Sequence, residues 1–369
     1  MSQQRILEKK SLDELFGKLT AAGNRVLAPL RNGQRVEFAE VGAGQGGGSP
    51  GRDTASQIDL DYIQTARPAK EVVFPRYEHM LRYRLAGKDA QAEEIAPEAR
   101  PTVLFGLHPC DAASFATLNA VFTWDSPDAY FEPKLAKLTI VGLSCTQGDA
   151  YCFCTSVGGG PGATHGSDIL LTPIDGKRYL AEIVTEKGAA VVALAPHLFA
   201  PANGESEPER QRGATTEPGA TATDLKEAVL AQIAPRFAPE QLGQRLPALF
   251  PRNGVWVEQS LRCIGCGACA YVCPTCTCFD IQDERQRYAG VRLRCWDSCG
   301  FGLFTLHASG HNPRAKQSER WRQRVMHKFS YQPERLGVLG CVGCGRCSRS
   351  CPADMNLAQH VEALAQTPT

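Results

Sequence analysis

Two runs of cysteine near the C-terminal end carry the clearest chemistry in the chain: Cys263-x-x-Cys266-x-x-Cys269-x-x-x-Cys273-Pro274 and Cys341-x-x-Cys344-x-x-Cys347-x-x-x-Cys351-Pro352. Three thiolates spaced by two residues can wrap one face of an iron-sulfur cubane from a single tight loop. The fourth, just before a proline, starts a segment that leads away, and in two-cluster carriers it ligates the other cluster. On this chain the rule assigns Cys263, Cys266, Cys269 and Cys351 to one 4Fe-4S cluster, and Cys341, Cys344, Cys347 and Cys273 to a second. Crossed ligation would make the two runs one folding unit. Gly265, Gly267, Gly343 and Gly345 would let backbone amides approach the sulfides and tune the potential. Zinc is the competing reading, since paired C-x-x-C units also build tetrahedral sites, but two consecutive runs of this kind make a poor zinc pattern.

Eight of the sixteen cysteines remain. Cys110, Cys145, Cys152 and Cys154 lie in the N-terminal part, the first two just past short apolar runs that read as buried parallel strands, Val103–Leu107 and Leu138–Leu143. Open α/β sheets place their sites at the carboxyl edge, so these four thiols are candidates for a third iron-sulfur cluster. Buried free thiols and a zinc site are the alternatives. Cys276, Cys278 and Cys299 are expected to pack around the cluster ligands, and Cys295 has no assigned role. His108, His307, His311 and His327 stand as single residues without partner motifs.

The elements that must position these groups follow from patterning. Ser11–Ala22 reads as an amphipathic helix capped by Ser11, with Glu14 three residues on. Arg25–Val41 alternates as two strands about Asn32-Gly33. The glycine-rich segment 42–51 satisfies G-x-G-x-x-G formally, but Ser49-Pro50-Gly51 follows where a helix should begin, so it reads as a loop. Segment 201–223 has the composition of a long surface loop. A helix is expected at 224–233 and another, started by Asn356, at 357–366, while the segment 240–249 leads into the ferredoxin-like part. The fold class is an α/β N-terminal domain, residues 1–250, which would carry the third site. An α+β ferredoxin-like dicluster domain follows at 251–369, with a long insertion at about 279–335.

Composition narrows the function. A chain of 369 residues with formal net charge +1 gives no global case for nucleic-acid binding. The basic stretch Arg314–Lys328, with Trp321 embedded, reads as a solvated or subunit-facing helix. The start, MSQQRILEKK, has no apolar signal region and no stretch could span a bilayer, so the thiols are expected to be reduced and the protein cytoplasmic. No nucleophile motif, P-loop or credible dinucleotide loop is present, and no catalytic residue is assigned.

Taken in order, Phe74-Pro-Arg76-x-Glu78, Pro-Cys110-Asp, Cys152-Phe-Cys154, Cys273-Pro-Thr-Cys276-Thr-Cys278-Phe-Asp, Trp296-Asp-Ser-Cys299, His311-Asn312, His327-Lys-Phe329-x-Tyr331 and Cys341-Val-Gly-Cys344-Gly-Arg-Cys347 resemble the beta subunit of sulfhydrogenases, the NAD(P)-linked nickel-iron hydrogenases. That family also includes one component of the anaerobic sulfite reductase. The resemblance implies an iron-sulfur electron-transfer subunit with 4Fe-4S clusters, working beside a flavin and NAD(P)-binding subunit and a hydrogenase or reductase subunit. It implies a part of an oxidoreductase complex that is not catalytic alone. His108 stands where the family pattern has arginine, Cys295 is extra, and the glycine-rich and Thr/Pro-rich loops are insertions. A sulfite or sulfur reductase assembly is the alternative, as is a subunit with its own sulfur-reducing site.

Overall fold

In the computed structural model the described residues are 3–42, 58–202 and 229–368; most of the glycine-rich and the Thr/Pro-rich loops lies outside them. Among the described residues twelve strands form two sheets. They are β1 Gln3–Glu8, β2 Arg25–Asn32, β3 Arg35–Glu40, β4 Tyr77–Ala86, β5 Asp89–Glu94, β6 Thr102–Leu107, β7 Leu138–Leu143, β8 Ile169–Pro173, β9 Arg178–Ile183, β10 Phe199–Pro201, β11 Phe279–Gln286 and β12 Ala289–Trp296. Contacts divide the chain into two units, each assembled from three stretches: 1–67, 100–113 and 137–234 in the first, 68–99, 114–136 and 235–369 in the second. A linear reading sets one boundary at residue 250. The difference arises because strand pairing joins stretches far apart in sequence.

The first unit is a mixed α/β layer built on an eight-stranded sheet in the order β10-β1-β9-β8-β7-β6-β2-β3. Its middle is parallel, β2 to β6, β6 to β7 and β7 to β8. That pairing suits the continuous apolar runs of β6 and β7, in which nearly every residue is buried. The hairpin β2–β3 forms as its alternation predicts, with its turn one residue later than expected, at Gly33-Gln34, because Asn32 still pairs with Arg35. Helix Leu12–Ala21 lays Leu12, Leu15, Phe16 and Leu19 on the sheet, where they share one core with Val103, Phe105, Val141 and Leu143. Ser11 occupies its N-cap but makes no side-chain cap bond.

The second unit combines a four-stranded antiparallel sheet, β11-β12-β4-β5, with a group of short helices around the cysteine runs. The hairpin β11–β12 comes from the sequence between the two runs, and it pairs in register with the distant strand β4, as in Arg294 opposite Glu78. Arg294, which is 2% exposed, donates from Nε to Glu78 at 3.0 Å and from Nη1 to Asp128 at 2.6 Å. Helix Pro239–Leu249 buries Leu242, Leu246 and Leu249, and helix Leu357–Gln366 starts where Asn356 accepts from the Ala358 amide at 3.1 Å. Helix Leu357–Gln366 lies where its Asn356 start predicts, whereas the first half of the helix expected at 224–233 falls outside the described residues. No helix among the described residues is long and apolar enough to cross a membrane.

Candidate metal centres

The two cysteine runs fold as near copies. In each, two glycines adopt left-handed backbone, Gly265 and Gly267 at φ 69° and 74°, Gly343 and Gly345 at 65° and 70°. The second glycine of each pair caps a single helical turn that carries the third cysteine, Ala268–Tyr271 or Arg346–Arg349. A side chain at Gly267 would have to sit 2.4 Å from the Phe301 ring, so only glycine lets the loop pass.

Cys263, Cys266, Cys269 and Cys351 line one cavity, the set that the crossed-ligation rule groups together. Cys299 and Cys347 line it too. Cys299 comes from the loop after β12 and bonds to Cys278. The remaining thiols gather deeper. Cys273 and Cys344 are buried, Cys273 bonds to Cys276, and Cys341 lies within electrostatic reach of Cys273 and Cys347. Cys266 is exposed. The expected packing of Cys276, Cys278 and Cys299 about the ligand runs corresponds to these contacts, whereas Cys295 is on β12 with Asp280 and Asp297 for company.

Four cations are buried among these sulfurs: Lys70, Arg324, Lys328 and Arg346, each at most 4% exposed. Lys328 donates to Cys273 Sγ at 3.4 Å, Thr275 Oγ1 at 3.1 Å and the Gly340 carbonyl at 2.6 Å. Arg324 reaches Cys276 Sγ at 3.7 Å and the Cys269 carbonyl at 3.0 Å. Arg346 reaches Cys344 Sγ at 3.8 Å. Lys70 donates to the Cys276 carbonyl at 2.6 Å and stands 4.0 Å over the Trp296 ring. Burying a charge is costly unless an opposite charge accompanies it. Lys70, Arg324 and Lys328 are met by sulfur, hydroxyl and carbonyl, so the pocket is built for a strongly anionic occupant.

The acid-base balance agrees. Burial raises the Cys269 and Cys341 thiols to about 12. Cys273 goes the other way, held well below the ordinary thiol range by its bond from Cys276 and, against the cost of burial, by Lys328, Arg324 and Lys70. Burial works against the charge on Lys328, but the Cys273 and Cys276 sulfurs outweigh it and raise Lys328, whereas at Lys70 burial prevails over the Cys276 and Cys273 sulfurs and lowers it. Iron requires thiolates, and supplies the compensating charge that buried thiols lack. Among the described residues no three His, Cys, Asp or Glu side chains close on a single metal-ion position. The donor set and the hollow it lines fit an iron-sulfur cluster with four cysteine ligands.

In the first unit, Cys110, Cys145, Cys152 and Cys154 meet in one cluster with Val229 and Ile233. Cys110 opens helix Pro109–Phe122 after β6, Cys145 follows β7, and Cys154 begins a 3-10 turn. Burial raises Cys145 and Cys154 to about 12. His108 is a structural residue: its ring nitrogens bond the Leu143 carbonyl at 3.1 Å and the Tyr62 carbonyl at 2.8 Å, fixing the ends of β6 and β7.

A family model described as a 4Fe-4S dicluster domain matches residues 262–355. Sulfhydrogenase 2 subunit beta of Pyrococcus furiosus is 31% identical over 360 residues, covering 97% of this chain and 96% of that protein. The chain belongs to this family. It is thus an iron-sulfur protein of the sulfhydrogenase beta-subunit family, with a 4Fe-4S dicluster domain at its C-terminal end and a mixed α/β region before it. No solved structure matches it.

Sequence reasoning missed the buried cations. Lysine and arginine ordinarily mark surface, and nothing in Ala69-Lys70-Glu71 or His327-Lys328-Phe329 distinguishes them.

Proposed function

We propose that this protein is an electron-relay subunit that holds two 4Fe-4S clusters in a ferredoxin-like dicluster arrangement, one on Cys263, Cys266, Cys269 and Cys351, the other on Cys273, Cys341, Cys344 and Cys347. The observation that carries the reading is the packing of three buried cations, Lys328, Arg324 and Arg346, against thiols in and beside two repeated cysteine loops. Clusters bound there supply one-electron carriers, and the chain's own part is to hold them, exclude water and place charge around them. The glycine amides and the buried Lys328, Arg324 and Arg346 stabilise negative charge. The exposed Cys266, with Leu261 and Ile264 beside it at 75% and 69% exposure, gives the first loop an open edge at which a partner can approach. The relative is one subunit of a sulfhydrogenase, and the partners proposed here, as the family resemblance implies, are a flavin and NAD(P)-binding subunit and a hydrogenase subunit. No acid, base or nucleophile is needed for transfer of this kind.

The convergence of Cys110, Cys145, Cys152 and Cys154 supports a third cluster in the first unit. Anaerobic purification with iron and sulfide counts tests both parts together. About eight irons per chain corresponds to two clusters and about twelve to three, while a colourless protein with one or two zinc ions overturns the proposal.

A further inference from the structure

The two cysteine loops are alike in backbone, yet the side chains that meet their sulfurs are not. At the first loop, Cys263 Sγ accepts from Gln317 Nε2 at 3.1 Å, a neutral amide whose oxygen is held by Arg320 at 2.6 Å, while the buried Arg324 meets the Cys269 carbonyl at 3.0 Å and the Cys276 sulfur at 3.7 Å. At the second site, Cys273 Sγ accepts from the ammonium of Lys328 at 3.4 Å, and Cys344 from the Arg346 guanidinium at 3.8 Å. Lys328 is locked in place. Its Nζ is shared among Cys273, Thr275 and the Gly340 carbonyl, and Thr275 itself donates to that carbonyl at 2.7 Å. The backbone contributes too, because Lys328 lies in a π-helical turn, His327–Tyr331, a form concentrated at functional sites. Gly340 must be glycine here: a Cβ would stand 2.8 Å from the Lys328 Cα.

From this asymmetry we propose that Lys328 sets the potential of the cluster at Cys273, making the two clusters inequivalent with the Cys273 one the more easily reduced. The inference rests on the dicluster reading above. A fixed positive charge beside an anionic group favours the more negative oxidation state, and in a buried, low-dielectric setting it does so strongly. At the first site the donor on sulfur is an amide dipole and the Arg324 charge acts through the Cys269 carbonyl, so the bias there is smaller. The relay therefore has a polarity: the site with the exposed thiol is the lower-potential end and the enclosed site the higher. Lys328 acts through Cys273 and is a positioning and tuning residue, not a reacting one.

The test is redox potentiometry followed by electron paramagnetic resonance on the full chain, purified anaerobically, comparing wild type with Lys328→Met and Lys328→Arg. Lys328→Met is expected to lower the midpoint potential of one cluster and leave the other in place, and Lys328→Arg to restore most of the shift. Unchanged potentials in a Lys328→Met protein with full iron would overturn the proposal, as would equal shifts of both clusters. Gln317→Lys provides the converse should Lys328→Met fail to load iron: it adds charge at Cys263 and is expected to raise the other potential and narrow the gap. No rise in a fully loaded Gln317→Lys protein counts against the proposal. Iron and sulfide counts on the wild type separate the two levels of argument. A wild type without two clusters removes the dicluster reading itself, whereas two clusters indifferent to residue 328 remove only the tuning role.

Discussion

Replacing Arg294 with methionine removes a cation that is 2% exposed and leaves Glu78 and Asp128 facing one another without it. The guanidinium also stacks on Phe74 at 5.3 Å and Phe122 at 5.6 Å, and methionine keeps part of that packing. Breaking a buried ion pair from one side costs about 3–5 kcal/mol, because a charge is left uncompensated. Here the cost lies at the lower end, since Glu78 retains its ion pair with Lys134 and the Asp128 side chain is 23% exposed. About 3 kcal/mol in a unit of this size corresponds to a fall of about 6–12 °C in the midpoint of its thermal transition. Anaerobic melting of the cluster-loaded chain, followed by circular dichroism at a fixed scan rate, reads that shift. Adding Asp128→Asn should recover part of the loss, since the amide oxygen can still accept from the Tyr130 and Phe131 amides while carrying no charge. A midpoint within about 2 °C of wild type for Arg294→Met would refute the reasoning. The strand bearing Trp296 would then not depend on this clasp.

Three further outcomes are expected. Cys110→Ser should lower the iron content by about one cluster while leaving the C-terminal pair intact, and an unchanged count removes the N-terminal site. Gly267→Ala forces a left-handed alanine against Phe301, a strain of about 1–3 kcal/mol before any clash. It should release iron from one cluster, seen as reduced charge-transfer absorbance per chain. Asn356→Ala removes the cap of the closing helix, costing about 1 kcal/mol and about 2–4 °C in the melt, with iron content unchanged.

What the sequence discloses is whatever leaves a local pattern. The cysteine runs, the apolar strands β6 and β7 and the helix at 357–366 are legible because spacing, a continuous apolar run or a capping asparagine marks them. Strands β4, β5 and β11 carry no such mark. Their side chains are exposed or half-exposed on both faces, so no hydrophobic alternation betrays them, and their place in one sheet depends on a register spanning residues 77 to 296. The division into units is hidden for the same reason. Cys299 is legible as a neighbour of the cluster loop but not as part of its wall. The four buried cations are illegible for a different reason: their burial is stabilised by sulfur brought from elsewhere in the chain, and that is a property of the folded pocket alone.

The unequal burial of the two cysteine loops also governs how the molecule ages. Cys266 is open to solvent, whereas Cys273 and Cys344 are enclosed. Dissolved oxygen or peroxide therefore meets the first loop before the second, and a thiolate uncovered there climbs the oxidation ladder toward sulfinic acid, from which iron cannot be rebound. On the two-cluster proposal, attrition is one-sided: exposure to air should first yield a half-loaded protein that keeps its interior site and loses its outer contact. Such material would look like a stable single-cluster protein in a spectrometer while being disconnected as a conductor.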